Sequence, residues 1–115
     1  MDKNTFIKKI EEIVSKSELD DISDNFDFNN SCAISFIDDS GVDCDIEFGR
    51  KSFGMISYLH FRRNRNYLLN FKLSKNEWLH LKGIVIDRIE SIKKKELGLA
   101  FKDIHRDNKI NEVVK

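Results

Sequence analysis

A strictly alternating segment, VDCDIEF, constrains the fold more than any other part of the chain. Its apolar residues occupy every second position from Val42 to Phe48, and acidic residues fill the positions between them. Side chains of a β-strand point alternately to the two faces of a sheet, so this pattern predicts a strand with one buried and one solvated face. Such a strand belongs in an antiparallel sheet whose apolar face is covered by another layer.

Three further segments also have the composition of strands. CAISFI comes before the alternating segment, and FGMISYLHF and the stretch from Tyr67 to Leu73 come after it. Turns are predicted at residues 39–41, 49–52 and 62–66, where glycine, asparagine, serine and basic residues interrupt the apolar pattern. The residues expected to face the core are Phe53, Met55, Leu59 and Phe61 in the third strand, and Tyr67, Leu69, Phe71 and Leu73 in the fourth. The residues expected on the opposite face of these strands are Ile56, Tyr58, His60, Leu68, Asn70 and Lys72.

Helices are predicted on both sides of the sheet segments. Apolar residues recur at helical spacing near residues 5–17, where Asn4 or Thr5 can cap the first turn. The sequence SKNE, at residues 74–77, is a capping box, and the apolar stripe after it predicts a long helix that ends at Gly98. The stripe consists of Trp78, Leu81, Val85, Ile89 and Ile92.

Together these elements predict an α+β fold: an N-terminal helix, a four-stranded antiparallel sheet of hairpins, and a long C-terminal helix packed on one sheet face. The 115 residues suffice for one core, so we expect residues 1–115 to form a single domain. Residues 1–30 supply the helix and an acidic linker with a short edge strand around Phe26 to Phe28. Residues 31–97 supply the sheet and the long helix, and residues 98–115 form a tail with enough apolar residues for a short second helix.

Composition narrows the setting in which the protein works. The sequence has no long apolar run and no secretory signal, so we expect a cytoplasmic protein that does not enter membranes. The absence of proline and the abundance of isoleucine, lysine and asparagine suit AT-rich coding, as in a bacterial cell or a phage-infected host. Cys32 and Cys44 fall inside predicted strands and are expected to be buried, reduced thiols.

Charge is distributed unevenly along the chain. Residues 1–49 contain 4 lysines and 13 acidic residues, a balance of minus 9, whereas residues 50–106 contain 14 basic and 5 acidic residues, a balance of plus 9. Such a split indicates a basic binding face beside an acidic segment. The alternative is that the two halves neutralise each other within one fold.

The most basic and aromatic stretch, FRRNRNYLLNFK at residues 61–72, lies where the third and fourth predicted strands meet. Bases stack on aromatic rings and phosphates are neutralised by arginine and lysine, so such a sheet face can hold single-stranded nucleic acid. Alternatively, the same side chains cover the sheet and pair with the acids of the neighbouring strand. The candidate binding residues are Tyr58, His60, Arg62, Arg63, Arg65, Asn70 and Lys72.

No constellation in the sequence predicts catalysis. Asp43, Asp45 and Glu47 share a strand face, as in metal-dependent nucleases, but no base stands beside them and a solvated strand face is the simpler interpretation. His80 lies off the apolar stripe of its helix and His105 lies in the tail, and the sequence pairs neither with a nucleophile. We therefore expect a protein that is not an enzyme and uses neither a metal nor another cofactor.

The segment LSKNEWLHLK, residues 73–82, resembles the end of the last strand and the start of the long helix in the PC4-like transcriptional coactivator family. The matching residues are Leu73, Ser74, Glu77, Trp78, Leu81 and Lys82, and the resemblance extends at most from Ser31 to Lys95. It implies a curved four-stranded sheet that binds single-stranded DNA, a role in transcription regulation, and a dimer formed by the long helices. The dimer contact that it implies consists of Leu79 and Ile86.

A second class of function fits the same sequence. A small phage-type or immunity-type modifier docks onto a host enzyme such as a polymerase, a nuclease or an aminoacyl-tRNA synthetase. The acidic linker would then mimic nucleic-acid phosphates or cover a basic patch of the partner. Its candidate contact residues are Asp20, Asp21, Asp24 and Asp27.

Overall fold

The chain forms an α+β structure built on one antiparallel sheet. The computed structural model describes residues 1–51 and 55–107, with side chains described as far as residue 98. Helix α1 (Lys3–Lys16) precedes the sheet and helix α2 (Lys75–Asp107) follows it. The strands are β1 (Ile22–Asp24), β2 (Ser31–Ile37), β3 (Asp43–Lys51), β4 (Ile56–Arg63) and β5 (Asn66–Leu73), and they lie in chain order across the sheet. The predicted class and the two flanking helices are confirmed, but the sheet has five strands rather than four.

The fifth strand is β1, which follows a 3-10 turn at Leu19–Asp21 and pairs with β2. The edge strand was predicted around Phe26 to Phe28, and that position is wrong. Those residues belong to a turn in which the Asn25 carbonyl accepts hydrogen bonds from the backbone N–H groups of the three residues 28–30. Asparagine and aspartate favour such turns. Phe26 also packs inward on the core, with its ring centroid 5.9 Å from that of Trp78.

Helix α1 begins two residues earlier than predicted. Its N-cap is Asp2, not Asn4 or Thr5, and the Asp2 carboxylate accepts a hydrogen bond of 2.8 Å from the backbone N–H of Thr5. This bond lowers the pKa of Asp2, because it favours the ionised carboxylate. The helix ends at Lys16, and Arg88 of α2 donates a 3.0 Å hydrogen bond to the Ser17 carbonyl just beyond that end.

Both helices pack on the same face of the sheet. The alternation of β3 is confirmed there, because Ile46 and Phe48 are fully buried and Cys44 is nearly so. The helices contribute Phe6, Ile7, Ile10, Val14, Trp78, Leu81 and Val85 to the same core. Both cysteines are buried, free thiols as predicted, and burial raises the pKa of Cys32 to about 12.

The capping box at the start of α2 is confirmed by two reciprocal hydrogen bonds. The Ser74 N–H donates to the Glu77 carboxylate at 2.8 Å, and the Glu77 N–H donates to the Ser74 hydroxyl at 3.1 Å. The predicted end at Gly98 is wrong, since α2 continues to Asp107. A glycine inside a helix costs only about 1 kcal/mol, which does not end a helix by itself. Residues 108–115 of the predicted tail lie outside the described part of the chain.

The turn between β3 and β4 also differs from the prediction. Strand β3 runs through Gly49 to Lys51, which were assigned to the turn. Met55 is 84% exposed rather than inward, and Ser57 occupies the buried position at this end of β4. Phe53, predicted to face the core, lies outside the described residues. None of the helices that the structure describes is long and apolar enough to span a lipid bilayer.

Candidate nucleic-acid interface

The face of the sheet opposite the core, called here the outer face, is the location of most of the predicted binding residues. Within the described chain, the buried residues of α1 and α2 pack only on the core face. Side chains on the outer face are therefore exposed or half-buried, including Ile37, Ile56 and Tyr67, which are 68%, 48% and 55% exposed. A sheet face of this kind is accessible to a ligand.

The hairpin between β4 and β5 fixes which side chains reach the outer face. Its turn consists of two residues, Asn64 and Arg65, with φ angles of 50° and 68°. Positive φ at both positions is typical of a type I′ turn, which matches the twist of the flanking strands. Arg62 and Arg63, assigned to the turn from the sequence, therefore lie at the end of β4.

A β-bulge next to this turn changes the orientation predicted for β5. Arg62 pairs with Tyr67, whereas Phe61 pairs with Leu69, so Leu68 is an extra residue in β5. The expectation that Tyr67 faces the core is wrong, because the bulge brings it onto the outer face beside Arg62. The short turn sets this register, and the hydrophobic pattern of β5 alone does not reveal it.

Three rings form a row across the outer face, called here the ring row: Tyr58, His60 and Tyr67. The ring centroids of Tyr58 and His60 are 4.8 Å apart, and those of His60 and Tyr67 are 5.4 Å apart. A cation lies at each end: the Lys51 ammonium is 4.6 Å from the Tyr58 centroid and the Arg62 guanidinium is 5.4 Å from the Tyr67 centroid. The row thus consists of three adjacent rings with positive charge at both ends.

Arg62 and Arg63 are both paired with carboxylates of the acidic half of the chain. Arg62 binds Asp45 through two hydrogen bonds of 2.7 and 2.5 Å. Arg63 binds Asp38 at 2.6 Å, and this bond is the main reason that the pKa of Asp38 falls to about 2. Arg63 pairs in register with the buried Cys44, so it lies on the core side of the sheet and not in the ring row.

The remaining predicted residues are exposed. Asn70 lies opposite His60 and Lys72 lies opposite Tyr58, so β5 adds an amide and a cation to the ring row. Arg65 is exposed at the turn beyond Arg62. The structure therefore brings five of the seven predicted residues together, with Arg65 nearby and Arg63 apart: Tyr58, His60, Arg62, Asn70 and Lys72. Lys51 and Tyr67 join them although the sequence interpretation placed Lys51 in a turn and Tyr67 in the core.

His60 is a half-buried member of the ring row. Its side chain is 19% exposed, and its Nδ1 atom lies 3.7 Å from a Glu47 carboxylate oxygen. That nitrogen is buried and makes no hydrogen bond within the described structure. Burial lowers the pKa of His60, although Glu47 acts in the opposite direction. The neutral imidazole is therefore favoured in the folded protein.

The strand carboxylates do not converge on one point. Asp45 is held by Arg62, while Glu47 faces His60. In the part of the chain that the structure describes, no group of three or more histidine, cysteine, aspartate or glutamate side chains is placed to hold a metal ion.

The acidic residues predicted to contact a protein partner are spread over three local structures. Asp20 and Asp21 belong to the 3-10 turn, Asp24 ends β1 and Asp27 lies in the following turn. Asp21 also lines an open cleft of about 760 Å³ between α1 and the β2–β3 hairpin. The floor of this cleft includes apolar side chains, and its acidic lining residues are Glu12, Asp21, Asp38, Asp39 and Asp43.

The residues implied as a dimer contact differ in exposure. Leu79 is 49% exposed and Ile86 is half-buried on α2.

Comparisons of the chain with protein-family models, with curated proteins and with solved structures find nothing that matches it.

Proposed function

We propose that the protein is a non-catalytic, cytoplasmic nucleic-acid-binding protein that holds single-stranded DNA or RNA on the outer face of its sheet. The observation that carries this proposal is the ring row with a cation at each end. Single-strand-binding surfaces combine aromatic rings, on which bases stack, with cations that neutralise the backbone. Tyr58, His60 and Tyr67 supply the rings, and Lys51 and Lys72 supply available cations. Arg62 adds a cation whose charge is compensated by Asp45.

The orientation of the ring row suits an extended strand of nucleic acid. Tyr58 and Arg62 are four residues apart on β4, a separation of about 13 Å at the rise of a β-strand. The three rings and the cations at their two ends therefore extend over the length of a few nucleotides, with Arg65 beyond one end. Stacking is sequence-tolerant because every base has a π-face, so we expect little base preference.

The acids of β3 give the binding surface a boundary. Asp43, Asp45 and Glu47 would repel phosphate if they were free. Asp45 is neutralised by its two hydrogen bonds to Arg62, so the negative charge nearest the ring row is compensated. We infer that the nucleic acid follows β4 and β5 and does not extend over β2.

The resemblance to PC4-like coactivators is compatible with this proposal. An antiparallel sheet followed by a long helix is the arrangement that the resemblance implies, and the chain has both. We extend the proposal to a role in transcription regulation and to a dimer in which Leu79 and Ile86 of α2 contact a second copy. Sedimentation of the wild type and of Leu79→Asp would test the dimer separately from nucleic-acid binding.

Fluorescence anisotropy of a labelled single-stranded oligonucleotide tests the central proposal. Wild-type protein is expected to bind at low salt, and Tyr58→Ala/Tyr67→Ala to bind much more weakly. Each base–aromatic stack contributes about 1–3 kcal/mol, which corresponds to roughly 5- to 150-fold in affinity per ring. Absence of binding by the folded wild type at low salt would overturn the proposal.

Two matched controls separate the ring row from general surface effects. Phe28 is 88% exposed and does not belong to the outer face. Phe28→Ala should therefore leave the affinity for the oligonucleotide unchanged. Lys93→Ala/Lys94→Ala removes two exposed cations of α2, and should weaken binding less than Lys51→Ala/Lys72→Ala. An equal loss of affinity in the two double-lysine variants would indicate non-specific attraction rather than binding at a site.

A second candidate function is favoured by the acidic cleft. The cleft lining includes apolar residues such as Ile13 and Phe36, and its five carboxylates outnumber its two cations, Lys9 and Lys16. Such a surface suits a basic segment of a partner protein. A modifier of a host polymerase, nuclease or aminoacyl-tRNA synthetase could bind in this way. Assays of the purified enzymes would then respond to the wild type and to Tyr58→Ala/Tyr67→Ala, but not to Asp21→Asn/Asp39→Asn/Asp43→Asn, which changes three acids of the cleft lining.

A further inference from the structure

Gly49 lies directly beneath an aromatic ring of the ring row. It pairs in register with Tyr58 across β3 and β4, and it is buried although it belongs to the outer face. A β-carbon at position 49 would be 2.7 Å from the Tyr58 hydroxyl oxygen and 3.0 Å from the Tyr58 Cζ atom. The hydroxyl end of the ring, with the Ser31 Cβ atom at 3.0 Å on the other side, therefore occupies the space that another side chain at position 49 would fill.

This contact gives a physical reason for a glycine in the middle of a strand. Glycine weakens a strand interior, because it loses more conformational freedom than other residues and has no side chain to pack. Here it lets the Tyr58 ring lie across β3 instead of standing away from the sheet. In that position the ring lies beneath the Lys51 ammonium and beside His60.

We propose that Gly49 is a positioning residue that seats the Tyr58 ring for stacking with a single nucleobase. This inference rests on the proposed function. A base that stacks on Tyr58 displaces the Lys51 ammonium from the ring face, and the flexible Lys51 side chain can then reach the phosphate of the same nucleotide. A β-carbon at position 49 lifts the ring and separates the stacking surface from that cation.

The first test is Gly49→Ala, measured by anisotropy with a labelled single-stranded oligonucleotide at low salt. We expect affinity to fall about tenfold, within the range for loss of one base–aromatic stack. Gly83→Ala is the matched control, because a β-carbon added at that position of α2 meets nothing within 4 Å. It should bind like the wild type. Thermal unfolding of each variant shows whether it is folded at the assay temperature.

Two further variants show whether Gly49 acts through Tyr58. Tyr58→Phe keeps a stacking ring but removes the hydroxyl that is closest to the added β-carbon. Tyr58→Phe alone should therefore bind like the wild type. Combined with Gly49→Ala, it should restore part of the affinity that Gly49→Ala loses. It also provides a less crowded background if Gly49→Ala alone does not fold. In a Tyr58→Ala background, Gly49→Ala should cause no additional loss of affinity for the oligonucleotide.

The outcomes distinguish this inference from the proposed function. If the wild type binds and Gly49→Ala binds equally well, the inference is overturned and the proposed function stands. If Gly49→Ala weakens binding as much without the Tyr58 ring as with it, Gly49 does not act through that ring and the inference is also overturned. If the wild type does not bind, both are overturned.

Discussion

At the scale of single residues, Arg65 stands out because its backbone has a φ of 68°. Residues other than glycine, asparagine and aspartate seldom adopt this left-handed conformation, which costs about 1–2 kcal/mol. Asn64, with a φ of 50°, is better suited to its own position in the turn. The hairpin thus places a cation at its tip at the expense of backbone strain.

Replacement of Arg65 by glycine should stabilise the protein. Glycine relieves the left-handed strain, and after its greater freedom in the unfolded state is subtracted we expect the free energy of unfolding to rise by about 0.5–1 kcal/mol. Urea denaturation measures this change. Arg65→Ala also removes the charge but keeps the strain, so it should be no more stable than the wild type. Equal stability of the two variants would contradict the explanation.

His60 should make stability depend on pH near neutrality. Its pKa is lowered from 6.5 in the folded protein, so the unfolded chain takes up the proton at a higher pH than the folded protein does. The stability due to the neutral imidazole is therefore complete above pH 6.5 and is lost as the pH falls below that value. Thermal unfolding from pH 8 to pH 5 should show this loss in the wild type and a smaller loss in His60→Gln.

His80 provides the control for this pH dependence. It is an exposed histidine of α2 whose ring lies 2.5 Å from a Glu11 carboxylate oxygen, away from the ring row. His80→Gln should retain the loss of stability that is due to His60. If His60→Gln and the wild type lose stability equally between pH 6.5 and pH 5, burial of the His60 imidazole is not the cause.

At the scale of elements, the sequence predicts those features that depend on local pattern. The alternation of β3 and the capping box of α2 are both local, and both are confirmed. Strand β1 could not be recognised, because three residues give no alternation and their pairing with β2 defines them as a strand. The continuity of α2 through Gly98 was missed, and the residues after it were assigned to a separate tail, because glycine only weakens a helix.

Only part of the candidate site could be predicted from the alternation of apolar and polar residues. Tyr58, His60, Asn70 and Lys72 follow from simple alternation, and they lie on the outer face as expected. Tyr67 does not, because a two-residue turn and a bulge shift β5 by one residue. The pairing of Arg62 and Arg63 with carboxylates depends on the register of β3 against β4 and on the fold of the β2–β3 hairpin.

One carboxylate, that of Asp38, links the turn of the β2–β3 hairpin to β4. One oxygen of Asp38 accepts hydrogen bonds from the N–H groups of Ser40 and Val42, at 2.9 and 3.0 Å, and the other accepts from Arg63. Asp38→Asn keeps an acceptor oxygen but loses the charge, so it should lower the free energy of unfolding at pH 7. The free energy of unfolding of the wild type should exceed that of Asp38→Asn by the full amount above pH 3.8. This excess should decline as the pH falls towards the folded pKa of about 2.

Chemical denaturation of the wild type and Asp38→Asn at a series of pH values measures this effect. The difference in free energy of unfolding between the two proteins should become smaller from pH 4 to pH 2, because the wild-type Asp38 carboxyl becomes protonated in that range. Asp39→Asn, an exposed neighbour that makes no hydrogen bond or ion pair through its side chain in the described structure, is the matched control. A constant difference across this range would show that the Asp38 charge does not stabilise the hairpin.

At the scale of the whole molecule, part of the opposite charge of the two halves is neutralised by internal ion pairs. Arg62–Asp45 and Arg63–Asp38 each join a cation of the segment after residue 50 to a carboxylate of the segment before it. This supports the interpretation that the halves neutralise each other, but only in part. The exposed cations that remain around the ring row are Lys51, Arg65 and Lys72.

This distribution predicts how binding responds to salt. Three phosphate contacts on a single strand give a slope of log K against log salt of about −2, because each contact releases about 0.7 counterion. Asp45→Asn frees the charge of Arg62 for a fourth contact. It should raise affinity at low salt and steepen the slope to about −3. Anisotropy titrations at several salt concentrations measure both quantities.

Asp87→Asn separates a local effect from a change in net charge. Asp87 is exposed on α2, which packs on the opposite face of the sheet, and its replacement changes the net charge by the same amount. Long-range attraction alone predicts that both variants bind slightly more tightly, with the wild-type slope. Release of Arg62 predicts the steeper slope only for Asp45→Asn, because only that carboxylate holds a cation at the end of the ring row. An unchanged slope in Asp45→Asn would exclude Arg62 from the phosphate contacts and shorten the interface to the segment between Lys51 and Tyr67.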